Sequence, residues 1–213
     1  MGIGCVMLPF KKKVTVGWIR DSSNSSQLVW RIPNEKFPKI SRAGEVVVKE
    51  FEKALFFKGG SMEGIWSPGK HQIPKEVDEI IWVDISPKQQ PFGIPKYNGP
   101  ITKDGYQMGL SGAITLRVNG DLEKNVAQFL SRLVAGSNTY NRDQLADWLR
   151  EGPLVSVFRD VAKKLTYQEF MQMNREELLN HEVRPRLYNE LYRYGLDLIS
   201  IDLTSSTTPQ KVI

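Results

Sequence analysis

Apolar and polar positions alternate with a period of two over residues 106–119. Tyr106, Met108, Leu110, Ile114, Leu116 and Val118 fall on one face, and Gln107, Ser111, Thr115, Arg117 and Asn119 on the other. That alternation predicts a long strand with one dry face, bent or bulged at Gly109 and Gly112. Residues 44–86 read as shorter strands joined by tight turns. Val46, Val47 and Val48 are β-branched, residues 54–57 are apolar and aromatic, and residues 79–85 are a further strand. Gly59 and Gly60 allow the chain to reverse, and Ser67-Pro68-Gly69-Lys70 predicts a second reversal. Val14, Val16 and Trp18 alternate as a strand does, and residues 27–32 are extended. Pro33 and Pro38 hold the chain out of helix. Residues 87–100 carry four prolines, and the expectation there is a stiff connection rather than a helix or a central strand.

After residue 120 the period changes to that of a helix. Leu122, Val126, Phe129, Leu130, Leu133 and Val134 make one apolar stripe that Gly136 stops. Asn141 with Gln144, and Thr166 with Glu169, have the spacing of capping boxes; Asn174 with Glu177 is a looser third. Gly152-Pro153 must break the second helical region, with Pro153 placed to restart it. Leu178, Leu179, Leu187 and Leu191 form the last stripe, with Pro185 as a kink. Gly195 ends it. Residues 196–203 predict a closing strand, and the polar tail from Thr204 reads as disordered.

Strands, helices and a returning strand in separate blocks predict an α+β fold: a mostly antiparallel sheet, packed helices, and a final strand rejoining the early sheet. The expected organisation is an N-terminal segment (1–26), one domain (27–203) and a flexible tail (204–213). The chain has 213 residues, 40% of them hydrophobic and 25% charged, as in soluble globular proteins. A net charge of +5 is a modest excess that favours anionic surfaces, lipid headgroups included. Cys5 is the single cysteine, so no disulfide forms within the chain.

No apolar run approaches the roughly 20 residues of a membrane-spanning helix. The order of the apolar N-terminus and the lysines after it is the reverse of a secretory signal. These features predict a cytoplasmic protein, or a peripheral one on the inner face of the cell membrane. The N-terminal residues admit two readings. In one they are a shallow anchor, with Ile3, Cys5, Val6, Met7, Leu8 and Phe10 at the acyl boundary and Lys11, Lys12 and Lys13 on phosphates. In the other they fray or pack on the body as a strand. Val6 stands where a myristoylation signal needs Ser or Thr. Cys5 suits palmitoylation, or the more ordinary role of a small buried hydrophobe.

Catalytic motifs are missing. His71 and His181 lack metal-ligand spacing, no G-x-S-x-G element is present, and the paired glycines lack the spacing of a phosphate loop. No catalytic, cofactor or metal residue is assigned, no cofactor is expected, and neither nucleic acid nor a small-molecule substrate is an expected partner.

The order of these elements resembles the stomatin–prohibitin–flotillin (SPFH, band 7) superfamily, and its prokaryotic virion-core-protein-like branch in particular. The resemblance is carried by Val29-Trp30-Arg31-Ile32-Pro33, Val46-Val47-Val48, Glu52-Lys53-Ala54-Leu55-Phe56-Phe57 with Gly60, and Ser67-Pro68-Gly69-Lys70-His71. The long strand 105–118, Leu187-Tyr188-Asn189-Glu190-Leu191 and Tyr194-Gly195-Leu196-Asp197-Leu198 extend it. It covers residues 27–203. The resemblance implies a non-enzymatic scaffold on a membrane surface that forms homo-oligomers and organises membrane proteins or lipids. Family members continue into a helical, coiled-coil segment that this sequence does not contain, which predicts a shortened piece or a short member. The competing reading is a soluble interaction module that recruits a partner through a sheet edge or through residues 87–100.

Overall fold

The structure, a computed structural model, describes residues 14–20, 22–23, 25–32 and 44–212. The strands run β1 (Val14–Gly17), β2 (Gln27–Arg31), β3 (Gly44–Val48), β4 (Glu52–Lys58), β5 (Ser61–Trp66), β6 (Gly69–Gln72), β7 (Glu79–Asp84), β8 (Lys88–Ile94), β9 (Tyr106–Gln107) and β10 (Leu110–Val118). Helix α1 (Glu123–Phe129) continues as a π-helical turn, Leu130–Val134, before β11 (Thr139–Asn141). Then come α2 (Arg142–Glu151), α3 (Pro153–Ala162), α4 (Tyr167–Gln172), the short α5 (Arg175–Glu177), a second π-helical turn (Leu178–Val183) and α6 (Arg184–Tyr192). Strands β12 (Leu196–Ser206) and β13 (Gln210–Lys211) follow. The α+β expectation is met.

A five-stranded antiparallel sheet, in the order β11-β2-β7-β4-β5, forms the middle layer. Its central strand β7 is buried on both faces, which is why Ile80-Ile81-Trp82-Val83 reads as an unbroken apolar run. Ile80 and Trp82 point to a small sheet, β1-β3-β6, and pack with Trp18, Val46, Val48 and Ile73. Trp30 bridges this layer, 6.5 Å from Trp18 and 5.0 Å from Trp82 between ring centroids. Ile81 and Val83 point the other way, into the main core with Ile114, Phe129, Phe158, Leu187 and Leu191. Each such buried side chain contributes about 2–3 kcal/mol. Pairing is antiparallel except for β1 on β3.

Local signals hold. Asn141 and Gln144 form a reciprocal capping box, as do Thr166 and Glu169. Pro153 opens α3 directly after the break at Gly152. Strand β10 buries alternate residues, and its register against β12 slips between Ser111 and Gly112, as a bulge does.

Other expectations are corrected. The closing strand β12 does not rejoin the early sheet; it pairs with β10 in a separate sheet, β12-β10-β8. Its apolar residues Leu196, Leu198 and Ile201 stand opposite Val118, Leu116 and Ile114 on the dry face of β10. The tail after Thr204 is not disordered: β12 runs to Ser206, and β13 pairs with β9. At the other end, β1 lies within the expected N-terminal segment yet pairs with β3. Residues 88–94 form a strand despite Pro91, because β8 lies at a sheet edge where a missing N–H is tolerated. The Ser67–Lys70 turn closes no hairpin; it carries the chain from β5 in the middle sheet to β6 in the small one. Leu122 is 48% exposed at the N-cap of α1 and does not join the stripe. Asn174 caps through the amide of Glu176, not Glu177. Pro185 sits in the first turn of α6, where its missing N–H costs little, and the irregularity precedes it as the π-helical turn. No helix among the described residues is long and apolar enough to cross a membrane.

Candidate functional site

The end of the middle sheet where β4 starts and β7 stops holds a tight charge cluster. Asp84 closes β7 and is 2% exposed. Its carboxylate accepts from Arg20 Nη1 at 2.6 Å, from the Ser86 amide at 2.8 Å and from Ser86 Oγ at 2.6 Å. Lys88 Nζ pairs with it at 2.6 Å and also donates to Ser86 Oγ. Glu52, buried at the start of β4, accepts from the Lys49 amide at 3.0 Å and lies 3.8 Å from Arg20 Nε. Lys49 Nζ donates to the Trp18 carbonyl at 2.8 Å, and the Arg20 guanidinium sits 3.9 Å from the centroid of the Trp18 ring.

Burial alone would raise the Asp84 pKa. The hydrogen bonds from Lys88, Ser86 and Arg20 outweigh it and hold the carboxyl below its ordinary range. The Asp84-x-Ser86-x-Lys88 spacing places three polar side chains on one side of an extended segment. It superficially resembles an activated serine. Activation needs a neutral base beside the hydroxyl. Here Lys88 is ion-paired and donates to Ser86 Oγ, while the hydroxyl proton is directed at Asp84. The cluster is a staple, tying the segment after β1 to β4, β7 and β8.

Above the staple the surface turns apolar. Ile19 is 80% and Phe51 55% exposed, beside a hollow of about 260 Å³ lined by Arg20, Lys49, Glu50, Phe51, Glu52 and Asp84. Two wider grooves are open to solvent. One, of about 480 Å³, lies at the α2–α3 break against α6 and is lined by Trp148, Pro153, Ser156, Asp160, Glu190 and Tyr194. The other, of about 580 Å³, runs beside β8 past Ile94, Tyr97, Ser111, Arg150 and Thr207. Neither sets a histidine beside a hydroxyl or thiol; Ser111 Oγ is bonded to Ser205 Oγ at 2.6 Å.

His71 lies in β6, stacked on Trp66 with 5.7 Å between centroids, and its Nε2 is 2.6 Å from the Ser67 carbonyl oxygen. His181 is exposed on the second π-helical turn. Among the described residues no group of three or more His, Cys, Asp or Glu could hold a metal ion. The candidate membrane contacts Ile3, Cys5, Val6, Met7, Leu8, Phe10, Lys11, Lys12 and Lys13 lie outside the described residues. The Asp84 staple and the Ile19–Phe51 tip escaped the sequence reading. The period-two polar spacing at 84, 86 and 88 was their one visible signal.

No curated protein matches the chain. The family model described as "SPFH domain / Band 7 family" matches residues 46–213, from the strand that carries the small sheet through the whole helical layer to the end of the chain. The chain belongs to the SPFH domain / Band 7 family.

Proposed function

We propose that this chain is a membrane-surface scaffold module of the virion-core-protein-like branch that assembles with copies of itself and organises membrane proteins or lipids. The observation that carries this reading is the Band 7 match over residues 46–213; that membership suggests a membrane-associated, scaffold-type function in general terms, and members are generally not enzymes. The geometry is in keeping with it. The Asp84 carboxylate is held by Arg20, Ser86 and Lys88, and the two wider grooves are open to solvent. The Ile19–Phe51 tip presents exposed apolar side chains flanked by Lys49 and Glu50, an amphipathic surface of the kind that rests at headgroup level. By sequence, residues 1–13 set an apolar stretch before three lysines and offer a second contact, and attachment is peripheral, on the cytoplasmic leaflet.

The test is co-flotation with vesicles containing anionic lipid at low salt. The full chain floats. A chain lacking residues 1–13 floats less, and Ile19→Ser with Phe51→Ser weakens flotation further. If the full chain and the trimmed chain both stay in the aqueous fraction, direct lipid contact by this chain is wrong.

A further inference from the structure

Strand β12 is the longest of the described strands, at 11 residues, and it lies at one edge of the β12-β10-β8 sheet. A long edge is a row of unpaired N–H and C=O groups on which another strand can build. The register against β10 interrupts this row twice. Ser200 faces Thr115 and Leu198 faces Leu116, so Ile199 is passed over. Ser205 faces Ser111 and Leu203 faces Gly112, so Thr204 is passed over. Each is the extra residue of a bulge, and an extra residue has no partner in the ladder. The Thr204 hydroxyl fastens the second bulge, donating to the Ser111 carbonyl at 3.1 Å. Both residues are exposed, Ile199 by 38%.

Both bulges are capped from the helical layer. Arg184, which opens α6, donates from Nη2 to the Ile199 carbonyl at 2.8 Å. Arg175, which opens α5, donates from Nη1 to the Thr204 carbonyl at 3.2 Å, with the Leu203 carbonyl at 3.5 Å. Neither guanidinium is ion-paired with a carboxylate among the described residues. Glu182, close to Arg184 in sequence, pairs with Arg186 at 3.4 Å, and Glu176 and Glu177 stand exposed after Arg175. The far edge of the sheet carries the same device. Arg142, which opens α2, donates from Nη2 to the Gln89 carbonyl of β8 at 3.0 Å. Between described residues, every arginine-to-carbonyl bond that reaches a strand lands on β8 or β12, the two edges, and none on β10 between them.

These bonds add little to folding, because water satisfies an exposed carbonyl nearly as well as a side chain does. What they add is cover. A guanidinium held on a bulged carbonyl occupies the place where the N–H of an incoming strand must go, and it sets there a charge that pairing would have to desolvate. Asp202, exposed on β12 between the two bulges, adds a charge of the other sign. Symmetry names the strand that is shut out. A two-fold axis beside β12 sets the strand antiparallel to itself, so a second copy always carries a matching edge.

We propose that Arg175 and Arg184 are edge guards, an autoinhibitory contact that keeps a second copy of this chain from extending the sheet across β12. Contacts between copies are thereby directed to other surfaces. The guard belongs to the folded body and holds whether or not the chain meets a membrane.

The experiment compares three forms of the full chain: wild type, the double variant Arg175→Ala, Arg184→Ala, and the same two positions changed to Lys. Light scattering over a concentration series reads mass, and hydrogen exchange followed by mass spectrometry reads residues 196–206 at each concentration. The Ala pair grows to at least about twice the wild-type mass at the highest concentration, and its exchange over residues 199–204 slows at least about tenfold as concentration rises. Wild-type exchange over the same residues does not change with concentration. The Lys pair keeps a donor at each carbonyl and follows wild type. Both arginines are exposed, so melting temperatures stay within about 3 °C of one another. Should the Ala pair melt early, each single Ala variant gives the same test at one bulge. If the Ala pair matches wild type in mass and in exchange, the guard is wrong. If it grows while residues 199–204 still exchange fast, copies meet elsewhere and β12 is not the edge being held shut. Growth of the Lys pair equal to that of the Ala pair, or protection of residues 199–204 in concentrated wild type, overturns the assignment as well. Whether wild type assembles at all is read from its own mass, so the scaffold reading and the guard are judged separately.

Discussion

Gly195 is the joint between the helical layer and β12, and replacing it with alanine tests the packing argument most directly. Its φ is +72°, a left-handed conformation that costs an L residue about 1–2 kcal/mol. A Cβ there would stand 1.9 Å from the Asn125 carbonyl oxygen and 3.0 Å from the Phe129 amide nitrogen, both backbone atoms of α1. Ordinary contact needs more than 3 Å, so either α1 or the α6–β12 corner must move by over an ångström. That movement pulls on the 2.9 Å hydrogen bond from the Asn119 amide to the Gly195 carbonyl, which fixes the start of β12 beside the end of β10. Overpacking of this kind adds about 1–3 kcal/mol. Gly195→Ala therefore loses about 4 kcal/mol, a large share of a typical 5–15 kcal/mol. For a domain of this size the melting temperature falls by about 12 °C. Gly136→Ala is the internal control. Gly136 has a similar φ of +83° but nothing within 4 Å of the added Cβ, so the backbone term alone applies and the loss is about 1 kcal/mol. Urea titrations followed by circular dichroism read both midpoints. Equal losses in the two variants would refute the claim that close approach to α1, rather than backbone conformation, makes Gly195 necessary.

Asp84→Asn leaves the Arg20 and Lys88 charges without their shared anion and costs about 3 kcal/mol in urea titration. Because the Asp84 pKa is depressed in the folded state, the wild-type cluster contributes fully above the ordinary aspartate value of 3.8 and loses that contribution as pH falls through the lower folded value. Wild-type stability therefore declines below about pH 4, and the gap to Asp84→Asn narrows over the same acid range. Asn141→Ala removes the acceptor for the Gln144 amide and lowers stability by about 1 kcal/mol, read as a shift in urea midpoint with unchanged slope.

The features legible in the sequence are the ones settled within a few residues. The capping boxes at Asn141 and Thr166 join residues three apart, so their spacing is their mechanism. Strand β10 announces itself because one face is dry and the other is not. The break at Gly152-Pro153 follows from a missing N–H. The Asp84 staple was hidden because Arg20 meets Asp84 across 64 positions, and no local pattern marks a partner that far away.

By itself the sequence determined the longer strands and the helical regions (though not β6, β8, β11 or β13), where most of the helices start, and the order that resembles an SPFH domain. Only the tertiary structure decided that β12 lies on β10 rather than on the opening strands, that the residues after Thr204 extend β12 and add β13 on β9, and which charges meet. Period and propensity act through near neighbours, whereas pairing between strands depends on which matching apolar faces and open edges the whole chain brings within reach.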